Sequence, residues 1–230
     1  VISLLPKIYS EPFGDSSQIP TYILSKFVKN NINVALTGDG GDEIFGGYNR
    51  YIFSIKYWPL LKKLPLYFRK FIKLISNVFP EDIVVYLIYL LNNNVNKADL
   101  KNKINKFLSF IDANSDESLY AKFIGFDDFK SENDLYLNDI YFNKFNFIKN
   151  TAEKFMLNDI IYYLPNDILC KVDRAAMNVS LETRCPFLDH EIFEYSQEIP
   201  FEFKINNKNN SKFILKNILS KYLPRELFIN

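Results

Sequence analysis

The sequence predicts an α/β fold in which a parallel sheet is flanked by helices. Three observations carry that expectation: a short β-branched apolar run ends in a glycine-rich loop, a helical repeat precedes the run, and another helix opens after the loop. The first helix is expected over 17–30, where Ile19, Tyr22, Ile23, Phe27 and Val28 form an apolar stripe and Pro20 sits in the first turn. The strand covers 32–36 and reads as buried. Next comes Gly38-Asp39-Gly40-Gly41-Asp42-Glu43, three glycines and three carboxylates in six positions, with a helix opening at about Asp42. The loop leaves the carboxyl end of its strand, where open α/β sheets bind ligands.

Residues 52–150 alternate amphipathic stretches with Asn/Lys-rich breaks such as Asn92-Asn93-Asn94 and Asn102-Lys103. They predict helices covering the sheet, or an inserted helical layer. Trp58 and the many Phe and Tyr read as core, because no basic residues interleave with them as in a base-stacking platform. Helical spacing returns over 153–163 and is expected to break at Pro165. Asn166 or Asp167 would then cap a new helix running to about Met177, with Lys171 and Arg174 on one face. An amphipathic helix over 213–222 closes the chain.

At 230 residues the chain is long enough for a substantial core without disulfides or metals. Its 28 Lys and Arg against 27 Asp and Glu leave a net charge of +1, which gives no electrostatic case for a nucleic acid or membrane partner. The longest apolar run, 83–91, is nine residues, well below the ~20 that a membrane-spanning helix takes. There is no secretory signal, and Cys170 and Cys185 form no C-x-x-C pair, so a cytoplasmic location is expected.

The glycine loop is where the chemistry concentrates. Glycines let the backbone turn its N–H groups toward a ligand, which makes an anion cradle. Asp39, Asp42 and Glu43 would repel a bare phosphate, so the anion must arrive with a cation. Mg²⁺ suits this best, being usually held by one or two carboxylates plus phosphate oxygens. No lysine follows the glycines as in a P-loop, and the spacing is not G-x-G-x-x-G. The plain competing reading is a tight Gly-Asp turn with solvated acids.

Four blocks carry a family resemblance. The run Gly38-Asp39-Gly40-Gly41-Asp42-Glu43-Ile44-Phe45-Gly46-Gly47-Tyr48-Asn49-Arg50-Tyr51 resembles the signature of glutamine-dependent asparagine synthetases. The segment from Ser10-Glu11-Pro12 through Asp15-Ser16-Ser17 to Pro20-Thr21 is similar to that family's D/S-E-P-x-x-D-S-S-x-x-P-T. Leu164-Pro165 through Lys171-Val172-Asp173-Arg174 to Met177 resembles its L-P-x-D-x-L-x-K-x-D-R-x-x-M helix. Ser180 to His190 resembles its S-x-E-x-R-x-P-F-L-D-H block.

The resemblance implies an ATP-pyrophosphatase (adenine nucleotide alpha hydrolase-like) synthetase domain using ATP and Mg²⁺. The implied reaction amidates aspartate through a β-aspartyl-AMP intermediate, with ammonia from glutamine. Asp42 would then be the metal ligand, and Thr37 and Gly38 the nucleotide-contacting pair beside the N–H groups of Gly40 and Gly41. Asp39 would be an acid near the reacting carboxylate and ammonia, set against an Asx turn as its plain reading. Arg174 would face pyrophosphate, set against a surface pair with Asp173. Lys171 has a weaker claim on the phosphates, set against a solvated lysine. Glu182 and Arg184 resemble a buried structural pair, and His190 reads as structural. Cys170 does not match the glutaminase nucleophile, which in the family follows the initiator.

The family's S-G-G-x-D-S-S loop and N-terminal cysteine do not occur in the sequence, which opens at Val1. Residues 1–230 are therefore expected to be a partial synthetase domain of a longer parent, lacking the glutaminase domain, the pyrophosphate loop and the C-terminal tail. Homodimerisation of the parent is left open. The rival readings are amidation of another carboxylate, such as a sugar uronate, and a non-catalytic remnant of the fold.

Overall fold

In the computed structural model, which describes residues 1–78, 97–125, 145, 147–206, 208 and 210–228, the predicted strand forms as β1 (Val34–Leu36). It pairs in parallel with β2 (Glu182–Arg184), in the register Val34 to Glu182, Ala35 to Thr183 and Leu36 to Arg184. Thr37 N donates to Arg184 O at 2.8 Å and Glu182 N to Asn33 O at 3.0 Å, which carries the ladder one bond past each end of β1. Parallel pairing needs a long crossover. Here it brings two motif blocks, 37–51 and 180–190, edge to edge.

The helix before the strand is α1 (Gln18–Lys29), and α2 (Gly41–Phe45) follows the loop. Helix α3 (Cys170–Met177) packs on α1 and leads into β2. Between them lies a cluster of Ile8, Tyr9, Tyr22 and Ala175, with Leu5, Phe13 and Val179 against it.

The expected burial of the strand is corrected, and the helical stripe before it is only partly covered. Strand β1 is not a buried strand: Val34 and Leu36 share one face, and Leu36 is 74% exposed. On α1, Tyr22 is buried, but Ile23 and Phe27 face outward, Phe27 being 68% exposed. The reason is geometric. Among the described residues β1 has a neighbour on one edge only, and a two-stranded sheet is too narrow to cover both its own face and a whole amphipathic stripe. The parallel pair is thus flanked by helix but small.

The expected break at Pro165 does not occur. A helix over Thr151–Asn158 runs into a π-helical stretch, Asp159–Leu169, with Pro165 inside it, and this continues into α3. Proline has no N–H to give an i→i−4 ladder, and the wider i→i+5 winding carries the chain past the ring without ending the helix. No new helix starts here, so Asn166 and Asp167 cap nothing. Asn166 Nδ2 instead donates back to Tyr162 O at 2.8 Å.

Residues 1–52 and 152–230 form one compact unit and residues 53–151 a second. Within the second, helices cover Trp58–Lys63, Leu66–Val78, Lys97–Phe110 and Asp116–Phe123, as expected of a helical insertion. Trp58 is core, as expected: it is fully buried and donates Nε1–H to Asp116 Oδ1 at 2.7 Å. Asp116 also pairs with Lys62 at 2.6 Å and accepts from Thr151. Arg69 is buried with Nη1 donating to the carbonyls of Ile111 and Ala113. The expected break at Asn102-Lys103 falls inside the helix Lys97–Phe110. Leu100, Ile104 and Phe107 keep helical spacing across it, and Asn102 is exposed. The run 83–91 and the break at Asn92-Asn93-Asn94 lie outside the described residues. No helix among the described residues is long and apolar enough to cross a membrane.

Candidate nucleotide site

The loop from Thr37 to Asp42 leaves β1 and turns at Gly40, whose φ of +86° is in the left-handed region. A Cβ at Gly40 would collide with the Leu188 side chain, and one at Gly41 would stand 3.1 Å from Phe187 Cδ2. Glycine at 40 is therefore required by the turn and by the Pro-Phe-Leu segment pressing on it, and at 41 a side chain would be crowded by Phe187. Gly41 N donates to Gly38 O at 3.2 Å. The N–H groups of Gly38, Asp39 and Gly40 donate to no described group of the protein. Three consecutive unused donors at the mouth of a strand suit the oxygens of a phosphate chain. Thr37 Oγ1 lies 3.1 Å from Cys185 Sγ, so the hydroxyl is held against the end of β2.

Helix α2 is one and a half turns long and mostly buried. It packs against the π-helical stretch, against α4 (His190–Glu198) and against α5 (Phe213–Leu219). It ends at Gly46, φ +73°, where a Cβ would stand 2.7 Å from Ile205 Cγ1. Asp42 is half-buried on its first turn. Its Oδ1 pairs with Lys212 Nζ at 2.8 Å. A Cβ at Gly47 would overlap the Asp42 carboxylate, so Gly47 exists to leave that carboxylate room. Lys212 and Gly47 escaped the sequence reading. The Gly46-Gly47 doublet was a usable signal, but nothing marks Lys212 out from the Asn/Lys-rich stretch around it.

No cluster of three or more His, Cys, Asp or Glu suited to a metal occurs among the described residues. A lone hard carboxylate beside unused N–H donors fits a magnesium ion that arrives on a nucleotide, which supplies the other oxygens. It does not fit a metal held by side chains alone.

Asp39 is half-buried, and its carboxylate accepts no hydrogen bond among the described residues, so the Asx turn is not made. Arg174 is exposed on α3 and makes no ion pair with Asp173 or any other described residue. Lys171 is not solvated. It is buried, and its Nζ pairs with Asp15 Oδ2 at 2.6 Å. Burial would raise the Asp15 carboxyl, but the Lys171 ammonium and the Ser17 hydroxyl hold it below its ordinary value. Asp167 nearby is pushed up by burial and by the Asp15 charge. No hydrogen bond or ion pair among the described residues joins Lys171 or Arg174 to the glycine loop.

Behind the loop lies a buried polar network. Tyr48 hydroxyl donates to Glu43 Oε1 at 2.6 Å, and burial raises the Glu43 carboxyl against that bond. Arg50 Nε donates to Asp159 Oδ2 at 2.8 Å and its Nη2 meets Oδ1 at 2.8 Å, a two-point pair. Tyr51 hydroxyl donates to the same carboxylate. The Arg50 guanidinium lies 4.2 Å from the Tyr48 ring centroid and 4.6 Å from that of Tyr163. Burial and the Asp167 charge push the Tyr163 hydroxyl up to about 12.

The Glu182–Arg184 pair forms, with Nε to Oε1 at 2.8 Å, but on the exposed face of β2. The expectation of burial is corrected for the same reason as β1: neighbours i and i+2 share the uncovered face. His190 is exposed at the start of α4, whose cap is Asp189, accepting from Glu191 N at 2.9 Å.

The family model for asparagine synthase matches residues 1–229. Among curated proteins, asparagine synthetase (glutamine-hydrolysing) 1 of Bacillus subtilis is 28% identical over 245 aligned positions, covering 97% of this chain and 34% of that protein. Asparagine synthetase (glutamine-hydrolysing) 3 of the same organism is 38% identical over 79 positions, 34% of this chain and 12% of that protein. The chain thus spans about a third of the length of the first relative. No solved structure matches it.

Proposed function

This chain belongs to the asparagine synthase family, and from that premise we propose that it carries the nucleotide half of a synthetase that converts aspartate to asparagine with ATP. The aspartate side chain is adenylated to β-aspartyl-AMP with release of pyrophosphate. Ammonia, drawn from glutamine in a part of the protein outside this chain, then displaces AMP. The observation that supports this reading best is the loop itself. N–H groups at Gly38, Asp39 and Gly40 that no described residue accepts precede an aspartate whose carboxylate a glycine makes room for.

Each residue follows from its chemistry. Thr37, Gly38, Gly40 and Gly41 shape the backbone against the nucleotide. Asp42 holds Mg²⁺, which supplies charge neutralisation at the phosphates when bound. Lys212, paired to Asp42, adds a cation at the same mouth. Arg174 reaches pyrophosphate with a two-pronged donor set, being exposed and paired with none of the described residues. Asp39, whose carboxylate accepts no hydrogen bond from the described residues, orients ammonium or takes its proton.

The test is exchange of labelled pyrophosphate into ATP by the intact protein. Exchange that requires aspartate and Mg²⁺ is expected. Exchange driven only by another carboxylate would redirect the substrate, and none with any carboxylate would sink the adenylation reading.

A further inference from the structure

The block from Ser10 to Thr21 has no role in the function just proposed, yet its Asp15 reaches a buried cation 156 positions away. We propose that Lys171 is a positioning residue, joined with Asp15 into a staple that fixes α3 and the Arg174 it carries, and that it does not itself bind the phosphates. The inference rests on the reading of Arg174 as the pyrophosphate cation.

Lys171 is stitched at both ends. Its Nζ meets Asp15 Oδ2 at 2.6 Å, and its carbonyl accepts the Tyr9 hydroxyl at 3.2 Å. Asp15 is in turn preset. Its Oδ2 accepts from Ser17 Oγ at 2.7 Å and its Oδ1 from Ser17 N at 2.8 Å, so its carboxylate is oriented before the lysine is counted. The segment between is internally tied, with Tyr9 stacked on Phe13 at 4.9 Å and Gln18 Nε2 donating to Phe13 O at 2.9 Å. Tyr9 also sits in the apolar cluster with Ala175, one turn along α3. A lysine with 11% of its side chain exposed and a carboxylate at ion-pair distance is already neutralised. A phosphate would have to displace Asp15 and leave a partly buried carboxylate unpaired, which is costly. Three residues on, Arg174 is exposed and has no such partner among the described residues. The two cations of the motif therefore divide the work: one ties the helix down, the other is displayed.

The experiment compares Asp15→Asn, Lys171→Met, their double variant, the pair Asp15→Asn with Lys171→Gln, and Arg174→Ala in the intact protein. Pyrophosphate exchange is followed with separate kcat and KM for ATP. Each staple single is expected to lower kcat about tenfold while leaving the KM for ATP within about threefold. The Met double should lose no more than the worse single, since both break one contact. The Asn–Gln pair, which keeps a hydrogen bond without charge, should recover most of the loss. Losses that multiply in the Met double, or a Lys171→Met KM raised tenfold while Asp15→Asn is unaffected, would make Lys171 a phosphate ligand and overturn the proposal. The Met double decides the matter alone if the Asn–Gln pair does not fold. An Arg174→Ala variant at full exchange would overturn the reading of Arg174. Coupling between Asp15 and Lys171 in thermal unfolding would still be measurable then, so the two failures are distinguishable.

Discussion

Asp42 is held by one ion pair at a half-exposed site, so its loss should cost the fold little, at most about 1 kcal/mol. It should cost the reaction much more. Asp42→Asn is expected to reduce aspartate-dependent pyrophosphate exchange about a hundredfold or more. Near-normal exchange at saturating Mg²⁺ would remove Asp42 from the metal site. Asp15 makes a separate, pH-dependent prediction. Its folded pKa lies below the ordinary 3.8, so its stabilising contribution is present above that value and is lost as pH falls through the lowered folded pKa. The Asp15→Asn variant should therefore lose less stability than the parent on acidification through that window, read as thermal midpoints against pH. An equal acid limb in both proteins would mean the Lys171 pair does not hold the proton off. These residues differ in how well the sequence announced them. Asp42 and Gly40 sat in a dense local motif. Lys212 and the Asp15–Lys171 staple depend on contacts across 170 and 156 positions, and no local spacing encodes such a meeting.

At the scale of elements, the turn at Gly40 is a test of close packing between two motif blocks. Gly40→Ala must carry a side chain at φ +86° against Leu188. It should cost about 1–3 kcal/mol, measured by urea unfolding, and a cost under a few tenths would mean the turn relaxes freely. In the helical insertion, Ser115 accepts from Ser118 N at 3.1 Å and caps the helix Asp116–Phe123. Removing it in Ser115→Ala should cost about 1 kcal/mol, and no loss would mean solvent replaces the cap. Helix and strand types were legible because period and loop chemistry are local. The continuation through Pro165 was not, since the proline signal is the same whether the chain stops or winds into π turns. Nor was the exposure of β1 legible, because an apolar strand states what it can be buried against, not whether a neighbour lies there.

Taken as a whole, the described residues leave many large apolar side chains in and just before the strand open to solvent. Ile23, Leu24 and Phe27 of α1, with Ile32, Val34 and Leu36, are all exposed. Exposed apolar surface of this kind drives association, and an open strand edge templates pairing. This chain expressed by itself should self-associate with rising concentration, and Leu36→Lys should shift it toward monomer in sedimentation velocity. Unchanged sedimentation would show that the edge is not what meets. The buried Trp58 has a consequence of another kind. It is the sole tryptophan of the chain, and it is sealed inside the helical unit with its indole N–H on Asp116. Intrinsic fluorescence excited at the red edge therefore has a single source, inside the unit formed by residues 53–151. Unfolding followed by emission will describe the surroundings of this one indole, and loss of its bond to Asp116 is the event it reads first.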